Sequence, residues 1–106
     1  MSMLLAKAPD TLLCRHLSDK YLSDQEKWYL SKLRHDRRIN EYVTSRLMVK
    51  LLLQQSLKHG PIAASQLELY APPANPPKLY CCQQNLQGLF VSVSHSRGLV
   101  LVGITE

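Results

Sequence analysis

Arg37, Arg38, Arg46 and Lys50 fall close together in this chain, and a Ser92-Val93-Ser94-His95-Ser96 run follows much later. Guanidinium forks grip anionic oxygens in a bidentate way, and a lysine adds a point charge. Hydroxyls and an imidazole clustered on a turn hydrogen-bond a phosphate or an adenine edge. If the hairpin carrying the Ser-His run packs near the helix carrying the basic residues, Arg37, Arg38, Arg46, Lys50 and His95 converge on one phosphorylated ligand. The bland alternatives are a solvated basic helix face and small polar residues that simply populate a turn. On residue types alone, both pairs of readings stay open.

Other chemistries have less support. A catalytic Ser–His pair is disfavoured because adjacent side chains alternate across a strand and no orienting acid lies nearby in the sequence. No glycine-rich phosphate loop is present, which argues against the common nucleoside triphosphate folds. Three cysteines, Cys14, Cys81 and Cys82, make neither a disulfide framework nor a C-x-x-C pair. Without that spacing or H-x-x-x-H, a structural zinc is not expected. The odd count reads as reduced thiols and a cytoplasmic protein.

Charge is distributed unevenly. The 106 residues carry 13 Lys and Arg against 8 Asp and Glu, a net +5. Residues 27–58 hold eight basic side chains and two acids, Asp36 and Glu41, so the rest of the chain sums to −1. A local basic patch of this kind selects a polyanion, a phosphorylated ligand or an acidic partner. Apolar residues at 45% and charged residues at 20% argue against disorder. No apolar run approaches the length of a transmembrane helix, and Met1 to Lys7 is too short for a secretory signal.

The elements that must position these residues can be read coarsely. Thr11 to Leu17 reads as a short strand. Ser23-Asp24-Gln25-Glu26 has the S-x-x-E capping-box pattern and predicts a helix from about 24 to 33, with Trp28, Tyr29 and Leu33 on its apolar side. Asp36 to Lys58 contains no Gly or Pro and predicts the main helix. Ile39, Val43, Leu47 and Leu51 define a stripe, but Tyr42, Met48, Val49, Leu52 and Leu53 extend apolar character round most of it, as in a central helix. His59-Gly60-Pro61 predicts its end. Gln66 to Tyr70, Lys78 to Cys81, Leu89 to Ser94 and Leu99 to Ile104 read as strands, with a stiff proline loop over 71–77 and a turn over 83–88. His95-Ser96-Arg97-Gly98 is short enough to link an antiparallel hairpin. The expectation is one domain over residues 1–106, α+β, with helices packed on a small antiparallel sheet.

The order of these pieces is similar to a known family. A capping box opens a helix; Arg37-Arg38 and Ser45-Arg46-Leu47-Met48-Val49-Lys50-Leu51-Leu52 follow. A proline-containing loop precedes Phe90-Val91-Ser92-Val93-Ser94-His95-Ser96 and an apolar strand. Over roughly residues 22–105 this resembles the N-terminal half of the surfactin-synthetase-type 4′-phosphopantetheinyl transferases. The resemblance implies transfer of the phosphopantetheine arm of coenzyme A, the substrate, onto a serine of an acyl or peptidyl carrier protein. It also implies a pseudo-dimer of two similar halves with coenzyme A between them. Carried over by motif, Arg37 or Arg38 and His95 hold a coenzyme A phosphate, most directly the 3′-phosphate. Ser94 and the backbone around Ser92 sit by the nucleotide, and Arg46 and Lys50 support from the helix.

Three departures from the family pattern stand out. The family's Gly-Lys-Pro loop reads Asn75-Pro76-Pro77, so its lysine contact falls to Lys78 if to any residue. The asparagine that opens the Ser-His strand end is Ser92. The Mg²⁺ carboxylates and the general base follow the last strand in the family, beyond Glu106. The resemblance therefore assigns no catalytic residue and no metal ligand to these 106 residues. It implies a truncated half-enzyme that is inactive alone, and self-association through the exposed half-interface. Two alternatives are a basic nucleic-acid-binding module and a domain that docks acidic carrier proteins. A helix apolar on most sides fits poorly in a groove, so nucleic acid is the less favoured partner.

Overall fold

The computed structural model describes residues 2–56, 64–70, 78–81, 84–85 and 89–105. In chain order these form strand β1 (Ser2–Lys7), helices α1 (Thr11–Tyr21), α2 (Asp24–Leu30) and α3 (Asp36–Ser56), and a 3₁₀ turn (Ala64–Gln66). Strands β2 (Leu67–Tyr70), β3 (Lys78–Cys81), β4 (Gln84–Asn85), β5 (Phe90–Ser96) and β6 (Leu99–Thr105) follow. Two antiparallel three-stranded sheets result, ordered β1-β6-β5 and β2-β3-β4. The class is α+β, as expected, with two small sheets in place of one.

Helix α3 is apolar on most sides because it serves two cores. Its first half contributes Ile39 and Val43, which pack with Cys14 of α1, Leu22, and Leu30 of α2. Its second half contributes Met48, Val49, Leu52 and Leu53, which cover Leu67, Leu69 and Leu79 of one sheet and Val91, Val100, Val102 and Ile104 of the other. The expected stripe therefore does not run straight. Ile39 and Val43 are buried, Leu47 is half-buried and Leu51 is exposed. Each step of four residues overshoots a 3.6-residue turn, so the line drifts round the helix and leaves the core.

Two expectations at the N-terminus are corrected. Thr11 to Leu17 is helical, not a strand. Asp10 caps the helix by accepting the Leu13 N–H at 2.9 Å, and Cys14 and Ser18, one turn apart, face inward. Ser2–Lys7, which carries no element in the sequence reading, is an edge strand: Leu4 and Ala6 face the core and Met3 and Leu5 face outward. Helix α2 stops at Leu30, three residues short of the expected end, and its capping box is complete. Helix α3 begins at Asp36, so Arg34 lies outside it.

The β5–β6 turn is tighter than expected. His95 and Ser96 remain on β5, and Arg97 and Gly98 alone make the turn, at φ 52° and 82°. Two central residues with positive φ match the twist of antiparallel strands. The expected stop at His59-Gly60-Pro61, the proline loop over 71–77, most of the turn over 83–88, and Glu106 lie outside the described residues.

Candidate functional site

Strand pleating decides what the Ser-His run can do. Side chains alternate along β5, so Val91, Val93 and His95 turn toward the helices while Ser92 and Ser94 are exposed on the opposite face. His95 and Val93 line a cleft of about 370 Å³. Its other walls come from α2 (Gln25, Glu26, Trp28, Tyr29), one face of α3 (Arg38, Glu41, Tyr42, Ser45, Arg46) and β2 (Glu68, Leu69).

The cleft brings together some of the expected residues. Arg38, Arg46 and His95 all line it. Arg37 is exposed and does not line it, one position round α3 from Arg38. Ser92 and Ser94 are on the far side of the sheet, and Lys78 is exposed at the start of β3, outside the lining. Lys50 is buried beneath the cleft, where its ammonium donates to the Glu26 carboxylate and to the Tyr21 carbonyl at 3.1 Å. Burial presses the Lys50 pKa below the ordinary lysine range, and the Glu26 charge works against that.

Glu26 joins three elements at the cleft floor. Its carboxylate accepts the Ser23 N–H at 3.0 Å within the capping box, receives Lys50 from α3, and accepts the Leu69 N–H of β2 at 3.4 Å. The aromatic wall is equally specific. Tyr29 and Tyr42 lie 4.9 Å apart, and the Arg46 guanidinium sits over the Tyr42 ring at 4.4 Å while donating to Ser45 Oγ at 3.1 Å. Arg46 Nε has no hydrogen-bond partner among the described residues. Burial pushes the Tyr42 hydroxyl pKa up to about 12, with the Arg46 charge opposing it.

Several of these residues escaped the sequence reading. Glu41 is buried, lines the cleft, and stands 3.4 Å from His95 Nδ1. Its signal was visible as one of two acids in the basic segment 27–58. Tyr42 stands four residues before Arg46, a spacing that stacks them on one helix face. Glu68 gave no signal, and Tyr29 was legible only as part of the apolar side of α2, since nothing local announces which side of a short element meets a distant helix.

The arrangement suits an anion with a planar part. Two guanidinium groups and an imidazole line one cleft beside tyrosine rings. Among the described residues, no group of three or more His, Cys, Asp or Glu side chains is placed to hold a metal ion. Of the three carboxylates that line the cleft, Glu26 is engaged by Lys50 and Glu41 by Gly98 and His95, and Glu68 by itself is not a ligand set. These residues do not fit the magnesium that the resemblance implies. Among the described residues, no helix is long and apolar enough to cross a membrane.

No protein-family model matches the sequence, and no curated protein matches it. Solved structures do match the fold. A holo-(acyl-carrier-protein) synthase from Bacillus anthracis strain Ames, in complex with CoA (3′,5′-ADP), is 14% identical over 96% of this chain and 90% of that one, with a TM-score of 0.73. The Helicobacter pylori holo-[acyl-carrier-protein] synthase, in complex with coenzyme A, is 13% identical over 98% of this chain and 100% of that one, with a TM-score of 0.60. At such identities the likeness is one of fold. The chain thus shares the α+β fold of these holo-acyl-carrier-protein synthases.

Proposed function

We propose that this chain is the coenzyme A-binding unit of a phosphopantetheinyl transferase, of the surfactin-synthetase type, acting in the cytoplasm. One observation carries the reading. Arg38 and Arg46 on α3 and His95 on β5 line a single cleft in a fold whose solved counterparts include a synthase bound to CoA (3′,5′-ADP). In this reading the guanidinium groups and the imidazole hold a phosphate of coenzyme A, the 3′-phosphate first. Arg37 and Lys78 add charge from outside the cleft, and Lys50 braces the floor through Glu26. In the reaction a carrier-protein serine oxygen bonds to the phosphorus bearing pantetheine, and 3′,5′-ADP leaves.

The same reading makes the chain one half of a pair. The outward face of the β1-β6-β5 sheet exposes Met3, Leu5, Phe90 and Leu99, and Ser92 and Ser94 lie on that face. Apolar surface of this kind seeks a partner. A second similar unit, whether another domain or a second copy, would cover it, bring Ser92 and Ser94 to the seam, and supply the carboxylates for magnesium.

Thermal unfolding with coenzyme A or 3′,5′-ADP tests the proposal. Ligand at about a hundred times Kd adds roughly 2.7 kcal/mol and raises Tm by several degrees. Incubation with coenzyme A, Mg²⁺ and an apo carrier protein leaves the carrier mass unchanged when this chain is alone. An unmoved Tm together with salt-sensitive DNA binding would favour the nucleic-acid reading instead.

A further inference from the structure

We infer that Glu41 is a positioning residue that holds the His95 imidazole with Nδ1 toward the helix and Nε2 toward an anion in the cleft; the inference rests on the phosphate-binding reading above. Glu41 is 5% exposed and His95 39% exposed, with Glu41 Oε2 3.4 Å from His95 Nδ1. The same Oε2 accepts the Gly98 N–H at 3.3 Å. One buried carboxylate oxygen on α3 therefore fixes both the hairpin turn and the ring at its base.

The chemistry follows from what an imidazole can offer. A carboxylate oxygen is acceptor-only, so the nitrogen facing it carries the proton. That choice fixes the role of the other nitrogen, as a second partner does for many functional histidines. With Nδ1–H committed to Glu41, Nε2 is the nitrogen left to meet a ligand: it accepts in the neutral ring and donates to an anion once the ring takes up a second proton. Arg38, less than one turn before Glu41 on the same helix, lines the same cleft and supplies the charge beside it. An acid that sequence reading found missing near Ser94-His95 is thus supplied by α3, 54 positions earlier.

A purely structural Glu41 would tether the hairpin and leave the imidazole free to choose its tautomer. The two roles separate in ¹⁵N-resolved NMR of the unliganded protein, read in the neutral imidazole. The positioning role gives wild-type His95 as the Nδ1–H tautomer and gives Glu41→Leu a mixture dominated by Nε2–H. A wild-type spectrum showing Nε2–H overturns the inference whatever happens to the variant. Titration with 3′,5′-ADP supplies the second reading: Glu41→Leu weakens binding about tenfold or more. If that variant does not fold, Glu41→Gln retains the shape and the turn contact, and its His95 loses the single tautomer because an amide can donate or accept. Equal binding and an unchanged tautomer in either folded variant overturn the inference. Failure of wild type to bind 3′,5′-ADP sinks the phosphate reading instead, and the tautomer of the free protein still decides the role of Glu41.

Discussion

Glu26 and Lys50 meet as an ion pair that is 3% exposed on both sides, joining α2 to α3 beneath the cleft. The pair holds further bonds on each side: Lys50 donates to the Tyr21 carbonyl, and Glu26 accepts the Ser23 and Leu69 N–H groups. Removing one partner leaves the other buried without its countercharge. Lys50→Met therefore costs about 3 kcal/mol or more of stability, while the double change Glu26→Leu with Lys50→Met recovers part of that loss. Urea unfolding of the two variants checks the difference.

Arg38 and Arg37 are neighbours in sequence with different surroundings. Arg38 lines the cleft and Arg37 does not. Arg38→Ala is expected to weaken 3′,5′-ADP binding about tenfold or more, the value of a charge-assisted hydrogen bond, and Arg37→Ala by only about two- to threefold. Isothermal titration at two salt concentrations separates the contact from the general field, because the Arg37 effect fades with salt.

Tyr42 links the cleft to alkaline stability. Its hydroxyl pKa stands near 12 against an ordinary 10.0, raised chiefly by burial. Below pH 10.0 both folded and unfolded chains keep the proton, so there is no penalty. Between 10.0 and about 12 the unfolded chain loses it first, and stability falls as pH rises. Tyr42→Phe removes that part of the decline, which denaturant midpoints on either side of pH 10.0 will show.

The β5–β6 turn carries a residue that its backbone disfavours. Arg97 sits at φ 52°, where Asn or Gly is at ease and a long side chain is strained. Arg97→Asn is expected to stabilise by about 0.5–1 kcal/mol. Gly98→Ala, at φ 82° with open space around the added carbon, is expected to destabilise by about 1 kcal/mol through backbone strain alone. Thermal midpoints of the two variants should move in opposite directions.

The outward face of the β1-β6-β5 sheet governs association in the proposed pairing. Phe90, 64% exposed, and Leu5, 67% exposed, are its largest bare side chains. Phe90→Lys with Leu5→Lys is expected to shift sedimentation toward the monomer and to leave the circular dichroism spectrum unchanged. A wild-type chain that sediments as a clean monomer contradicts pairing between two copies of this chain.

Helix identity was written locally. The capping box at Ser23–Glu26 and the unbroken run from Asp36 are set by contacts within a few residues, so residue types alone determined them; the β5–β6 hairpin was legible too, but not that Arg97 and Gly98 alone make its turn. The α1 segment was misread because its helical signal is weak: Cys14 and Ser18 mark the buried side in place of large apolar residues. Strand β1 was missed because an edge strand pairs with β6, almost a whole chain away. The basic segment and the Ser-His run were legible as anion chemistry. Tertiary structure alone decided which of them share a cleft. Pleating sent His95 inward and Ser92 and Ser94 outward, helix rotation turned Arg38 in and Arg37 aside, and desolvation committed Lys50 to Glu26. It also brought Glu41 to His95, because a buried carboxylate must find donors and the folded hairpin offers the Gly98 amide and the imidazole together.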